Sequence, residues 1–183
     1  FAEIEEEEER NPAGIENENT LMFFHGRYLV SKNMSIYGEL VIDDFQIYLA
    51  DRDSIPDAIG FKVGFDGSRT VFGRDLLFLF EFTSIGTWTY THGGEFTSWQ
   101  NSNIPIGYKY GPDCRSLLSA IDCWMNDNWL LSLDHTYLQK GSVTILTPLA
   151  PALERKVDFP SRPIADHHLI DASFIWHTKL GFI

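Results

Sequence analysis

The stretch Met22-Phe23-Phe24-His25-Gly26-Arg27-Tyr28-Leu29-Val30, then Ser31-Lys32-Asn33, then Met34-Ser35-Ile36-Tyr37-Gly38-Glu39-Leu40-Val41-Ile42-Asp43, decides the fold class. Met22, Phe24, Gly26, Tyr28 and Val30 occupy the even positions of its first half, with His25 and Arg27 among the odd ones. Beyond the short turn, Ile36, Gly38, Leu40 and Ile42 alternate with Tyr37, Glu39, Val41 and Asp43. Successive side chains of a strand point to opposite faces, so this pattern predicts a hairpin with one apolar and one polar face. Almost no part of the chain repeats its apolar positions at the helical spacing.

Working outward, the same alternation recurs. Ile59, Phe61, Val63 and Phe65 alternate with Gly60, Lys62 and Gly64, and a Gly-, Ser- and Arg-rich turn is expected over residues 66–75. A long strand then places Leu76, Phe78, Phe80, Phe82, Ser84, Gly86, Trp88 and Tyr90 on one face and Glu81, Thr83, Thr87 and Thr89 on the other. Further strands are predicted over about residues 115–125, 129–141 and 170–177, with a tight turn at Asn126-Asp127-Asn128. Long loops are expected over residues 45–58, 92–110 and 142–167, the last with four prolines. Short and long connections thus alternate along an up-and-down meander.

Transmembrane barrels have this asymmetry, with short turns on one rim and long loops on the other. Trp124 and Trp129 flank a tight turn, and Trp88 and Tyr90 lie near a long loop, as aromatic girdles at two membrane interfaces would. The predicted fold is all-β, an antiparallel meander forming part of a transmembrane outer-membrane β-barrel. The alternative is a soluble β-sandwich, which also alternates but turns its apolar face inward. Strands this long favour the barrel, because soluble strands average about 5–6 residues. Seven strands fall short of the minimum of about 8 for a closed barrel. Residues 21–183 are therefore expected to be one segment of a larger sheet, incomplete at one or both ends.

The chain has 183 residues and a net charge of −12, with 14 Lys and Arg against 26 Asp and Glu. Nucleic acid is excluded as a partner, since its phosphates would be repelled. Residues 1–20 carry eight of the glutamates and read as an acidic, disordered leader. No basic and apolar signal segment opens the sequence, and no apolar run approaches the roughly 18 residues of a membrane helix. Cys114 and Cys123, if joined by extended chain, lie roughly 30 Å apart, too far for a disulfide.

Several pieces, in order, resemble the capsule-assembly (Wzi-like) family of outer-membrane proteins. They are Tyr37-Gly38-Glu39-Leu40 with Asp43-Asp44-Phe45-Gln46; Ile106-Gly107-Tyr108 with Gly111-Pro112-Asp113; Cys123-Trp124-Met125-Asn126; Trp129-Leu130-Leu131-Ser132-Leu133; and Tyr137-Leu138-Gln139-Lys140-Gly141-Ser142. The resemblance spans about residues 21–176. It implies a large barrel in the outer membrane of a Gram-negative-type bacterium that helps to hold or assemble capsular polysaccharide at the surface. It implies no catalysis and no cofactor. The expected partners are outer-membrane lipid, surface polysaccharide and other chains that complete the barrel or an assembly.

Two sets of residues follow as candidates. The predicted lumen network is His25, Arg27, Glu39, Asp43, Lys62, Glu81 and Asp134, joined by Tyr37, Asp122, Thr136 and Asp171, whose mixed charge suits interior pairing or a polar pore. The predicted glycan contacts are Trp99, Gln100, Asn101, Tyr108 and Tyr110, because aromatic faces pack on sugar rings and amides satisfy hydroxyls. Asp134 and His135 point to opposite faces and cannot form a dyad. His167 and His168, read as a loop end, could hold a metal with Asp166, but no ligand beyond these follows from spacing and no metal is expected. No nucleophile elbow, P-loop or dinucleotide fingerprint appears. A porin-like channel and a secreted carbohydrate-binding sandwich remain as alternative functions.

Overall fold

The computed structural model describes residues 21–44, 58–91, 100–101, 104–105, 107–148 and 157–177. The acidic leader and Trp99 lie outside the described residues, as do most of the loop over residues 45–58 and the last six residues. Seven long strands form one antiparallel sheet: β1 (Met22–Ser31), β2 (Met34–Asp44), β3 (Ala58–Val71), β4 (Arg74–Ile85), β7 (Cys114–Asn126), β8 (Trp129–Lys140) and β9 (Ala165–Trp176). Two short strands, β5 (Gln100–Asn101) and β6 (Ile104–Pro105), pair separately. The order β1-β2-β3-β4-β7-β8-β9 is a plain meander, with β1 and β9 left as edges.

The register carries the alternation across the sheet. Phe24, Leu40, Phe61 and Ser84 stand side by side, as do Tyr28, Ile36, Phe65, Phe80 and Ser119. Leu117 stands beside Tyr137, and Ile121 beside Leu133 and then Ala172. This face stays open, with Phe24, Phe61, Val63, Phe65, Leu117, Ile121, Leu131, Leu133 and Phe174 all exposed. Cross-strand aromatic pairs tie it together: Phe65 and Phe80 stack at 5.0 Å, and Phe61 lies 5.9 Å from Phe82. The opposite face carries the polar set. A cavity of about 880 Å³ is lined by residues from all seven strands, among them Arg27, Tyr37, Asp66, Leu79, Asp122, Asp134 and Asp171. The sheet therefore curls, with its polar face concave and its apolar face outward.

Three expectations are corrected. The turn read over residues 66–75 is only Phe72-Gly73, where φ is +52° and +75°. Two consecutive positive φ values make the tight hairpin turn whose twist matches the strands, so β3 runs on to Val71. Residues 66–70 look like a loop by composition, yet Ser35–Asp66 and Gly67–Phe78 pairing holds them in the sheet. Secondly, β4 stops at Ile85, and the chain turns inward at Gly86, whose N–H donates to the Ile59 carbonyl at 3.0 Å. Trp88 and Tyr90 are only 7% and 3% exposed, so they pack inside and form no girdle. Thirdly, β9 begins at Ala165, which puts His167 and His168 within a strand.

The buried core sits at the long-loop end, on the concave side. Val41, Ile85, Tyr90, Cys114, Leu138 and Ile145 form it, with Leu21, Tyr108 and Tyr110 packed against them. Residues 86–91, 107–113 and 141–148 fold into that end as a plug.

Candidate functional site

The concave face carries a ladder of polar contacts built on register neighbours. Tyr37 donates its hydroxyl hydrogen to Glu81 Oε2 at 2.8 Å. Lys62 Nζ lies 3.1 Å from Glu39 and 3.7 Å from Glu81, so one ammonium serves two carboxylates. Arg27 pairs with Asp66, which also accepts the Ser35 hydroxyl at 2.7 Å, and the Arg27 guanidinium lies 5.3 Å over the Tyr37 ring. Gly64, opposite Tyr37, makes room for that ring: a Cβ there would come within 2.5 Å of Tyr37 Cζ.

All the residues predicted as the lumen network share this concave face, but not one network. Arg27, Glu39, Lys62 and Glu81 enter the ladder. His25 stands opposite Glu39 and makes no hydrogen bond among the described residues. Asp43 is buried and accepts the Tyr90 N–H at 2.6 Å, so it anchors the plug. Asp134 faces Asp171 directly across β8 and β9, and neither has an ion pair among the described residues. Like charges so placed repel, and here they stand open to the large cavity, where water screens them.

Asp113 organises the plug, and sequence reasoning assigned it no role. It is fully buried. Its Oδ1 accepts the Thr87 hydroxyl at 3.1 Å and the Ser161 N–H at 2.8 Å; its Oδ2 accepts the Val143 N–H at 3.0 Å and the Ser161 hydroxyl. Its own N–H donates to Gly86 O at 3.0 Å, and its carbonyl accepts from Gly141 N–H at 2.8 Å. A φ of +56° aims it there, a conformation that Asp adopts more readily than most residues. Lys140 donates to the carbonyls of Pro112 and Val143 beside it. The signal available in sequence was Gly111-Pro112-Asp113, a turn with an acid at its exit.

Of the predicted glycan contacts, Trp99 lies outside the described residues, and Gln100 and Asn101 form β5. Tyr108 and Tyr110 are half-buried and pack edge to face at 5.5 Å, with Lys109 Nζ 4.7 Å above the Tyr110 ring. The Tyr108 hydroxyl turns inward to Ser116. Burial pushes the Tyr108 phenol up to about 12, against the pull of its bond to Ser116. Burial likewise raises Tyr90, opposed by a bond from the Tyr108 backbone. Both rings are neutral at any physiological pH.

On the outward face near the same end, His135 and His168 lie nearly coplanar, with Nε2 and Nδ1 3.1 Å apart, so one imidazole donates to the other. Tyr137 and Gln139 both donate to Asp166, at 2.7 and 3.1 Å. At the short-turn end, Trp129 stacks on Trp176 at 5.5 Å, while Trp124 lies 5.5 Å from His177. Because His167 and His168 are consecutive strand residues, they point to opposite faces and cannot converge on one ion. Among the described residues, no group of three His, Cys, Asp or Glu is placed to hold a metal.

A curled antiparallel meander, polar within and apolar without, is an arc of a β-barrel. No family model matches the chain, and no curated protein matches it in sequence. Among solved structures it is similar to Wzi of Escherichia coli, an outer-membrane protein involved in group 1 capsule assembly and a carbohydrate-binding β-barrel. The TM-score is 0.56 at 15% identity, over 89% of this chain and 40% of that one. The chain thus spans less than half the length of Wzi. At that identity the likeness is one of fold.

Proposed function

We propose that this chain is an arc of a non-enzymatic outer-membrane barrel that holds or assembles capsular polysaccharide at the surface of a Gram-negative-type bacterium. The outward face carries the reading. A sandwich buries its apolar face against a second layer; here Phe24, Phe61, Phe65, Leu131, Leu133 and Phe174 have no layer over them among the described residues. Lipid is the solvent such a face suits. Two belts bound it: Trp129 and Trp176 at the short-turn end, and Tyr137, His135 and His168 at the other. Eight residues of β8 separate Trp129 from Tyr137, about 26 Å of strand, which an ordinary barrel tilt shortens to about 20 Å. That approaches the apolar band of about 25 Å found on such barrels. The fold shared with a carbohydrate-binding capsule-assembly barrel supports the polysaccharide role, and the half-buried Tyr108 and Tyr110 at the long-loop end supply sugar-packing surface there. In this reading, further strands continue the sheet beyond β1 and β9.

A channel is the second reading. The large cavity lined by Arg27, Asp66, Asp122, Asp134 and Asp171 favours it, and the plug opposes it. The test starts from source membranes. The protein should fractionate with detergent-soluble outer membrane, migrate differently on a denaturing gel before and after boiling, and retain capsular polysaccharide on a column. Recovery in the aqueous fraction with unchanged mobility would sink the barrel; conductance in planar bilayers without polysaccharide retention would favour the channel.

A further inference from the structure

We propose that a second, smaller cavity on the concave side, roofed by the plug, binds one uncharged pyranose unit of a polysaccharide. This rests on the capsule reading and narrows it to one place and one charge class. The cavity holds about 260 Å³, room for a single sugar ring and not for a folded polymer. Glu39 and Lys62 form its polar side, and Phe23, Val41 and Ile85 its apolar side. Tyr90, Gly107 and Tyr108 cover it. Gly107, with φ +142°, lies so close to Tyr90 that a Cβ would come within 2.8 Å of the ring. The roof is therefore an aromatic plate backed by main chain. Pyranoses have matching two-sided chemistry: C–H faces that pack on aromatic rings, and a rim of hydroxyls that bond to carboxylates.

Charge decides which sugars fit. The Lys62 ammonium is shared between Glu39, which lines the cavity, at 3.1 Å and Glu81, which does not, at 3.7 Å, so the one cation of the polar side already serves two carboxylates. An acidic sugar would bring a third carboxylate to a partly desolvated site whose one cation is already paired. A neutral ring offers donors to the free lone pairs of Glu39, and such charge-assisted bonds are the stronger kind. The Tyr108 hydroxyl is engaged with Ser116, which leaves its ring face as the contact.

The full chain, extracted in detergent, is titrated with three neutral trisaccharides (maltotriose, mannotriose and galactotriose) and with trigalacturonic acid, and binding is read by saturation-transfer NMR. At least one neutral trisaccharide should bind and trigalacturonic acid should not. Glu39→Gln, which keeps the shape, and Val41→Phe, which keeps the charge but fills the cavity, should each weaken neutral binding at least tenfold. Heat-modifiability on gels checks that both variants fold. Preferred binding of trigalacturonic acid, or neutral binding that survives both substitutions, would overturn the proposal. If no trisaccharide binds while the chain still retains intact polysaccharide, the cavity proposal falls and the capsule reading stands. If polysaccharide retention is lost as well, the capsule reading is the one that has failed.

Discussion

The two ends of this sheet are built by different physics. At the short-turn end, β3 and β4 reach Phe72-Gly73, and Phe72 is 99% exposed. The concave face there opens on a cavity of about 880 Å³, with carboxylates of Asp122, Asp134 and Asp171 around it. Among the described residues, that end is held by the strand ladders, a few cross-strand polar contacts and ring contacts such as Trp129 on Trp176. At the long-loop end, loops fold back and build a small core around Val41, Ile85, Tyr90, Cys114 and Leu138, pinned by the buried Asp113. One end is a frame kept open by hydrogen bonds and, on the reading above, by lipid. The other is a conventional protein interior in miniature. A sheet can therefore keep its strand pairing from end to end while only one rim is packed, and the packed rim is where recognition is proposed.

The largest expected effect separates the ends directly. Asp113→Ala leaves the Val143 and Ser161 N–H groups without an acceptor and should cost about 4 kcal/mol in plug stability. Limited proteolysis should then cut within residues 86–91 and 157–163, while the boiled and unboiled forms still migrate differently. Loss of that gel shift as well would mean that plug and frame fold as one unit.

A charge on the outward face tests what surrounds the frame. Leu133 lies midway between Trp129 and Tyr137 on β8 and is 49% exposed. In water, arginine there would change stability little. In a bilayer, Leu133→Arg should cost about 2–4 kcal/mol by urea unfolding in lipid vesicles. The neighbouring Ser132→Arg, on the concave face, is the control and should cost much less. Equal costs would remove the membrane assignment of the two faces.

Smaller effects sharpen the plug. Thr89 is fully buried, and its hydroxyl lacks a hydrogen-bond partner among the described residues. Thr89→Val should stabilise by about 1 kcal/mol, seen as a higher urea midpoint; destabilisation would reveal a partner for the hydroxyl. The weakest lever is alkaline pH. The Tyr108 phenol is pushed up to about 12 from an ordinary 10, so the folded state holds that proton more tightly than the unfolded chain. Its contribution is whole below pH 10 and is lost as pH rises through 12. Tyrosinate absorbance should show a late-titrating phenol in the intact protein that Ser116→Ala shifts; a normal titration would mean that the roof is open to water.

Much of this architecture is legible in residue order. Alternation from Met22 to Asp43 assigns both faces of the first hairpin, and it extends to β7, β8 and β9 with the faces read correctly, including Asp134 inward and His135 outward. It fails where composition misleads. Gly67-Ser68-Arg69 reads as a turn, but partners on β2 and β4 hold it extended. Trp88 and Tyr90 continue the alternation of β4 on paper, while Gly86 takes them inward. Asp113 is one acid among 26 in the sequence.

Residue order by itself determined the strands, their two faces and the alternation of short and long connections, because each depends on a period of two and on local turn chemistry. Only the tertiary structure decided where the core lies, which carboxylate pins the plug, and that Glu39 and Glu81 share a single Lys62. These arise from contacts between residues tens of positions apart. Local pattern does not encode them, since they form only when the curled sheet brings its strands and loops around one space.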